Sequence, residues 1–283
     1  MSAIDPDVVI TTGFIPTYLL AFAWTVLHRR VHIAMTDGTD ISERGLTFLH
    51  RLARRLVFAF SKAFIGASEG SLRLFRQYKL PESKLFKSVL CTNNAPFLKN
   101  NNQPTVDLIY CGRFVLHKNP AFALDVASRV SELLGRTVSI DFVGAGPEEQ
   151  RLRDKATRLA GKVNANFLGY ASQTELPARY RNAKIFLFPS SFEPWGVVVN
   201  EACAAGLAVL ASPETGVAGE LVQSGVNGQV IHLDVELWAE AAAKLLNEPE
   251  LLASYSASSR QLASNYTFDH AADGMALAIS TAS

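Results

Sequence analysis

The sequence predicts an α/β protein made of two doubly wound domains, the N-terminal one incomplete. Three observations carry this expectation. Short apolar runs recur along the 283 residues and alternate with stretches of helical pattern. The runs are apolar at consecutive positions, as in parallel strands buried on both faces. The polar stretch Lys99-Asn100-Asn101-Asn102-Gln103-Pro104 separates two such series and reads as a linker.

In chain order, residues 8–11 read as the first strand and 16–30 as a helix. Residues 31–35 form the next strand, and 46–60 a helix with a basic face (Arg51, Arg54, Arg55). Strand 63–67, helix 69–78 and strand 87–91 complete this half. With about four strands and no element before the first, it is shorter than a full domain of this type. After Gln103 the strands are 106–111, 138–143, 166–168, 184–188, 208–211 and 228–231. Between them lie helices at 121–134, 148–160, 176–182 and 197–205. The expected division is a partial domain with linker over 1–102 and a ligand-binding domain over 103–266. A C-terminal helix over 267–283 is expected to pack back on the first part.

Composition bounds the classes. Hydrophobic residues are 48% and charged residues 19%, which excludes wholesale disorder. A net charge of +1 speaks against a dedicated nucleic-acid binder. Cys91, Cys111 and Cys203 are odd in number and lack CxxC spacing, so they give no disulfide framework and no zinc site. Free thiols imply a reducing, cytoplasmic setting. Residues 8–27 carry no charge and are long enough to cross a bilayer. Gly13 and Pro16 interrupt them, and acidic Asp5 and Asp7 precede them, so a buried strand–helix pair is the reading adopted.

Open parallel sheets bind ligands outside the carboxyl ends of their strands, and four segments fall there. The first is Cys111-Gly112-Arg113-Phe114-Val115-Leu116-His117-Lys118-Asn119-Pro120. Arg113 and Lys118 suit a diphosphate, one as a planar fork and the other as a point charge, although two solvated cations would read the same way. The second is Ser191-Phe192-Glu193-Pro194-Trp195-Gly196-Val197-Val198-Val199-Asn200-Glu201. Gly196 allows close approach of a ligand, and the amides of Gly196, Val197 and Val198 open a helix as an anion site. Glu193 suits sugar hydroxyls and Glu201 a ribose diol. The bland alternative is a helix-capping charge and an exposed helical glutamate. The third is Val143-Gly144-Ala145-Gly146-Pro147-Glu148, a tight turn or a wall for the nucleotide. The fourth, 212–220, follows a strand and is expected to open a helix, with a plain turn and cap and a place near the nucleotide as about even readings of it.

Together these segments resemble the donor domain of glycosyltransferase family 4, retaining enzymes of the GT-B architecture with two Rossmann-like domains. The resemblance rests on Gly112-Arg113 with Lys118, on Val143-Gly144-Ala145-Gly146-Pro147, and on Phe192-Glu193-Pro194-Trp195-Gly196 through Glu201-Ala202-Cys203-Ala204-Ala205-Gly206. It implies that Arg113 and Lys118 hold the donor diphosphate, Glu193 the transferred sugar and Glu201 the ribose. The catalytic candidates are then Glu193, Arg113 and Lys118. The donor-binding candidates add Gly112, Gly144, Gly146, Pro194, Trp195, Gly196, Val197, Val198 and Glu201. It also implies no metal and no cofactor beyond the nucleoside-diphosphate sugar. The partners it implies are that donor and a glycan or lipid-linked hydroxyl acceptor. Separately, the face with Arg51, Arg54, Arg55 and Lys62 beside Leu52, Leu56 and Phe60 reads either as peripheral contact at the inner membrane face or, slightly favoured, as a solvated helix face. The net charge leaves no nucleic acid among the partners.

The family's N-terminal Gly-rich loop is missing before Asp7. Where many relatives carry a His, this chain has Thr36-Asp37-Gly38, which makes Asp37 the acceptor-side candidate. The competing expectation is a nucleotide-sugar-binding fragment without turnover, completed by another chain or an upstream segment. An NAD-dependent oxidoreductase or epimerase is disfavoured, because no GxGxxG follows a strand.

Overall fold

A computed structural model of the chain describes residues 1, 3–45, 47–98 and 103–283. The chain divides into two units, Met1–Cys91 with Tyr266–Ser283, and Thr92–Asn265.

The first unit holds β1 (Val8–Thr11), α1 (Pro16–Leu27), β2 (Val31–Thr36), α2 (Phe48–Phe60), β3 (Ala63–Gly66), α3 (Glu69–Gln77) and β4 (Leu85–Lys87). Its sheet is parallel, in the order β1-β2-β3-β4. Every crossover steps the same way, so right-handed connections put α1, α2 and α3 on one face. There Phe22, Val57, Phe58, Leu72 and Phe75 bury against Ala34 and Phe64. The opposite face carries Ile33, Ala63 and Ile65. The C-terminal helix covers it with Met275, Ala278 and Ile279. Ser88 Oγ donates to the Ala271 carbonyl of that helix at 2.8 Å.

The last strand of this unit is 85–87 and not the expected 87–91. β3 ends at Gly66, and its register sets Phe64, Ile65 and Gly66 beside Leu85, Phe86 and Lys87. The basic face expected on helix 46–60 is also corrected. Arg54 is buried, with its guanidinium 5.1 Å from the centre of the Phe14 ring, while Arg51 and Arg55 are exposed. Leu46 lies outside the described residues.

The second unit begins with the short helix α4 (Ala95–Leu98), before the Gln103 boundary that the linker suggested. Side-chain packing explains the difference. Phe97 is buried against Tyr180 with ring centres 5.8 Å apart, and Asn94 Nδ2 donates to the Ala263 carbonyl at 3.1 Å. Linker residues 99–102 lie outside the described residues.

There follow β5 (Val106–Cys111), α5 (Pro120–Leu134), β6 (Val138–Val143), α6 (Glu149–Arg158), β7 (Val163–Gly169), α7 (Leu176–Arg181) and β8 (Ala183–Phe188). Then come α8 (Val197–Ala205), β9 (Ala208–Ala211), β10 (Gly228–Val230), α9 (Val235–Asn247) and α10 (Pro249–Ala263). The C-terminal helix α11 (Phe268–Ala282) belongs to the first unit.

The six strands are parallel, in the order β10-β9-β8-β5-β6-β7. The order reverses between β5 and β8, so the crevice of this sheet opens at their carboxyl ends. β5 is buried along its whole length, and Leu108, Ile140, Ile185, Leu210 and Trp238 share one core. Segment 212–220 opens no helix. Pro213, Gly216 and Gly219 break it into turns, and Thr215 bridges to Glu193. Among the described residues no helix is long and apolar enough to cross a membrane.

Candidate functional site

The crevice of the second unit brings together the loop after β5 and the loop after β8. Tyr110, the penultimate residue of β5, is buried, and its hydroxyl donates to the carbonyls of Arg113 at 3.1 Å and Lys118 at 3.3 Å. One side chain thus holds both ends of the basic loop. Asn119, with φ 49°, closes that loop, and its Nδ2 donates to the Pro189 carbonyl at 2.9 Å. The Ser191 amide donates to the His117 carbonyl at 2.8 Å. The two loops therefore form one rim, joined by hydrogen bonds to main-chain carbonyls that the sequence does not advertise. Tyr110 and Asn119 were missed by sequence reasoning, because neither has chemistry of its own to flag it.

Across the rim, Lys118 Nζ pairs with the Glu193 carboxylate, and both side chains are mostly enclosed. Nζ also lies 5.6 Å from the centre of the Phe188 ring. Burial, and then repulsion from Arg113, bring the Lys118 ammonium down to about 8, and the adjoining carboxylate opposes that movement. Arg113 is exposed at the mouth. Glu193 is fixed by its backbone. Its amide donates to the Glu214 carbonyl at 3.2 Å, and its carbonyl accepts from the Gly216 amide at 2.9 Å. Pro194 is half-buried. Trp195 is buried and its Nε1 donates to Asn200 Oδ1 at 2.8 Å, so these two shape the turn from within.

Gly196 caps α8 at φ 109°. A Cβ there would stand 2.4 Å from the Phe188 ring, so the turn admits no other residue without displacement. Val197 and Val198 follow as the first helical residues, at the positive end of the helix dipole. Glu201, one turn further on, is not the exposed helical charge of the bland alternative. It is buried and its Oε2 accepts from the Tyr180 hydroxyl at 3.2 Å. Burial pushes its carboxyl up, and the Tyr180 bond works against this. Tyr180 lies on α7, away from the loops where sequence reasoning searched.

Gly112 and Gly144 meet where the loops after β5 and β6 cross. The Gly112 amide donates to the Val143 carbonyl at 3.0 Å, and a Cβ on Gly144 would stand 2.0 Å from the Gly112 oxygen. Gly146 lies against the Phe114 backbone. These glycines serve loop-to-loop packing and set the floor beside the basic loop.

Asp37 lies in the first unit, exposed at the carboxyl end of β2, where Thr36 Oγ1 accepts from the Gly38 amide at 3.0 Å. Among the described residues no group of three or more His, Cys, Asp or Glu side chains converges as a metal site.

The second unit is thus a doubly wound domain whose switch-point loops carry Arg113, Lys118, Glu193 and the N-terminus of α8, with Glu201 buried one turn into that helix. Residues 93–262 match the model described as glycosyl transferases group 1, more than half of the chain, and the chain belongs to that family. It is 31% identical over 173 residues to D-inositol 3-phosphate glycosyltransferase of Rhodococcus opacus (strain B4), covering 57% of this chain and 39% of that protein. It is 31% identical over 144 residues to glycogen synthase of Mycobacterium tuberculosis (strain H37Rv), covering 50% and 34%. The matches span less than half the length of these curated relatives. Among solved structures, Anabaena Alr3699/HepE in complex with UDP superposes with a TM-score of 0.84 at 18% identity, over 99% of this chain and 80% of that one. The pneumococcal O-GlcNAc transferase GtfA in complex with UDP and GlcNAc gives 0.75 at 14%, over 99% and 58%. At these identities the structures establish the GT-B fold.

Proposed function

We propose that the chain is a glycosyltransferase of family 4 that moves a hexosyl unit from a nucleoside-diphosphate sugar to a hydroxyl acceptor with retention. The observation that carries this is the pairing of Lys118 with Glu193 across the switch point, beside the N-terminus of α8. A diphosphate leaving group develops negative charge as the glycosidic bond breaks. Lys118, Arg113 and the amides of Gly196, Val197 and Val198 are the groups that take it up. In the free protein Glu193 occupies Lys118. With donor bound, the ammonium turns to phosphate and the carboxylate is released to the sugar hydroxyls. Glu201, oriented by Tyr180, accepts from the ribose. Neither carboxylate is assigned a covalent role. The phosphate site consists of cations and helix amides, so the reaction is read as needing no metal and no cofactor. The uridine diphosphate held by the structural neighbours makes UDP the probe of choice. The acceptor is a glycan or a lipid-linked sugar met at the cytoplasmic membrane face.

Calorimetric titration tests the donor half directly. Arg113→Ala and Lys118→Ala are each expected to weaken UDP binding by about 1.5–3 kcal/mol, the cost of a charge-assisted bond, and to leave uridine binding nearly unchanged. EDTA should alter neither. Unchanged UDP affinity in both variants would remove the diphosphate assignment, and a strict requirement for added Mg²⁺ or Mn²⁺ would remove the metal-free mechanism.

A further inference from the structure

Within the first unit, α2 has two apolar sides. Val57 and Phe58 face the sheet and bury there. The outer side carries Phe48, Leu49, Leu52, Leu56 and Phe60, which are 51% to 73% exposed. Exposed Arg51, Arg55 and Lys62 stand among them, and no Asp or Glu occurs between Gly45 and Ser68. The neighbouring α1 is joined to α2 by the Phe22–Phe60 ring contact at 6.3 Å. It has no charged residue and adds Leu20 and Leu27, 72% and 80% exposed. A row of large apolar side chains this long marks a surface with an occupant.

The charge pattern selects that occupant. In a twofold pair of copies, α2 against α2 would bring exposed Arg55 towards its own equivalent, like charge against like. An anionic bilayer satisfies both features. The apolar side chains enter the acyl boundary, and the long cationic ones reach up to the phosphates. We propose that α2 is an interfacial helix that docks the chain on an anionic membrane surface. Its first turn, Phe48 and Leu49, follows the loop from the carboxyl end of β2, the end that carries Asp37. The helix therefore holds that edge of the sheet at the lipid surface. That a lipid-linked acceptor is presented there rests on the transferase reading; the docking itself does not.

The test is co-sedimentation of the 283-residue protein with phosphatidylcholine vesicles, with and without phosphatidylglycerol. Binding is expected only with phosphatidylglycerol and should weaken as salt is raised. Leu52→Gln with Leu56→Gln, and separately Arg51→Glu with Arg55→Glu, should each lower the partition coefficient at least roughly tenfold. UDP affinity should hold in both, which reports an intact second unit. A circular dichroism spectrum like that of the unsubstituted protein reports a folded first unit. Three results would each overturn the proposal: no binding to anionic vesicles, equal binding to neutral ones, or binding indifferent to both double variants. A dimer that Leu52→Gln with Leu56→Gln dissociates, in a protein that ignores vesicles, would give the surface to a second copy. Loss of UDP binding in the unsubstituted protein would remove the transferase reading and leave membrane docking standing.

Discussion

Lys118 carries the most chemistry on one side chain. Its ammonium sits in a crevice that disfavours charge, which brings it down to about 8. A bound diphosphate favours the charged form, so binding draws a proton onto whatever fraction of Lys118 is neutral. That fraction is small at pH 7 and dominant at pH 9. The terminal phosphate of UDP, with a second ionisation near pH 6, is already a dianion across that range. The dissociation constant for UDP is therefore expected to stay flat up to about pH 7.5. It should then climb towards tenfold per pH unit above about 8. Lys118→Arg keeps a cation that does not titrate there and should flatten the profile. Identical pH profiles in the two proteins, followed by calorimetry, would show that Lys118 does not meet the phosphate. The sequence offered this residue as a candidate but not its resting partner, because the Lys118–Glu193 pair joins loops more than seventy positions apart.

Among elements, strands were more legible than the segments between them. β5, β6 and β9 fall where the apolar runs placed them, because a strand buried on both faces writes its bounds into consecutive apolar residues. The stretch after β9 misled, since its turn residues resemble a helix start. What decides it is the bridge from Thr215 to Glu193, a tertiary contact with no local signature. The turn before α8 lies between these cases. Gly196 was read as allowing a ligand close, and the structure adds a second reason, the Phe188 ring beneath it. Gly196→Ala therefore meets both a positive φ and a buried ring, and is expected to destabilise the second unit by about 2–4 kcal/mol. Gly219, at φ 75° with nothing within 4 Å of an added Cβ, is the control. Its Ala variant should cost only about 1 kcal/mol, the backbone part alone. Equal losses in thermal unfolding would show that the ring contact contributes nothing.

At the scale of the whole molecule, the two units should respond to acid in different ranges. The first unit buries His32, whose ring nitrogens bond Thr11 Oγ1 at 3.0 Å and Ser61 Oγ at 2.8 Å, tying β1 and β2 to the end of α2. Burial brings this imidazole down from 6.5 to about 4. Between those values the unfolded chain takes up a proton that the folded one refuses. Stability is then complete above about pH 6.5 and lost as pH falls, by about 2 kcal/mol at pH 5 and about 3 kcal/mol at pH 4. The second unit buries Asp107 instead. Burial alone would raise that carboxyl, but hydrogen bonds from Arg136, Ser139 and Lys184 reverse this and hold it at about 2. Its contribution is therefore present above about pH 4 and lost only below it. Each unit closes its own core, so the losses should appear separately. Amide exchange at pH 7 and pH 5, corrected for the intrinsic rate, is expected to show lower protection at Ile33, Phe64 and Ile65. Protection at Ile140, Ile185 and Leu210 should be maintained. His32→Asn, which keeps a polar side chain but does not titrate, should remove the difference at some cost in stability at pH 7. Equal loss in both units, or a pH dependence that survives His32→Asn, would show that the buried imidazole does not govern the acid response of the first unit.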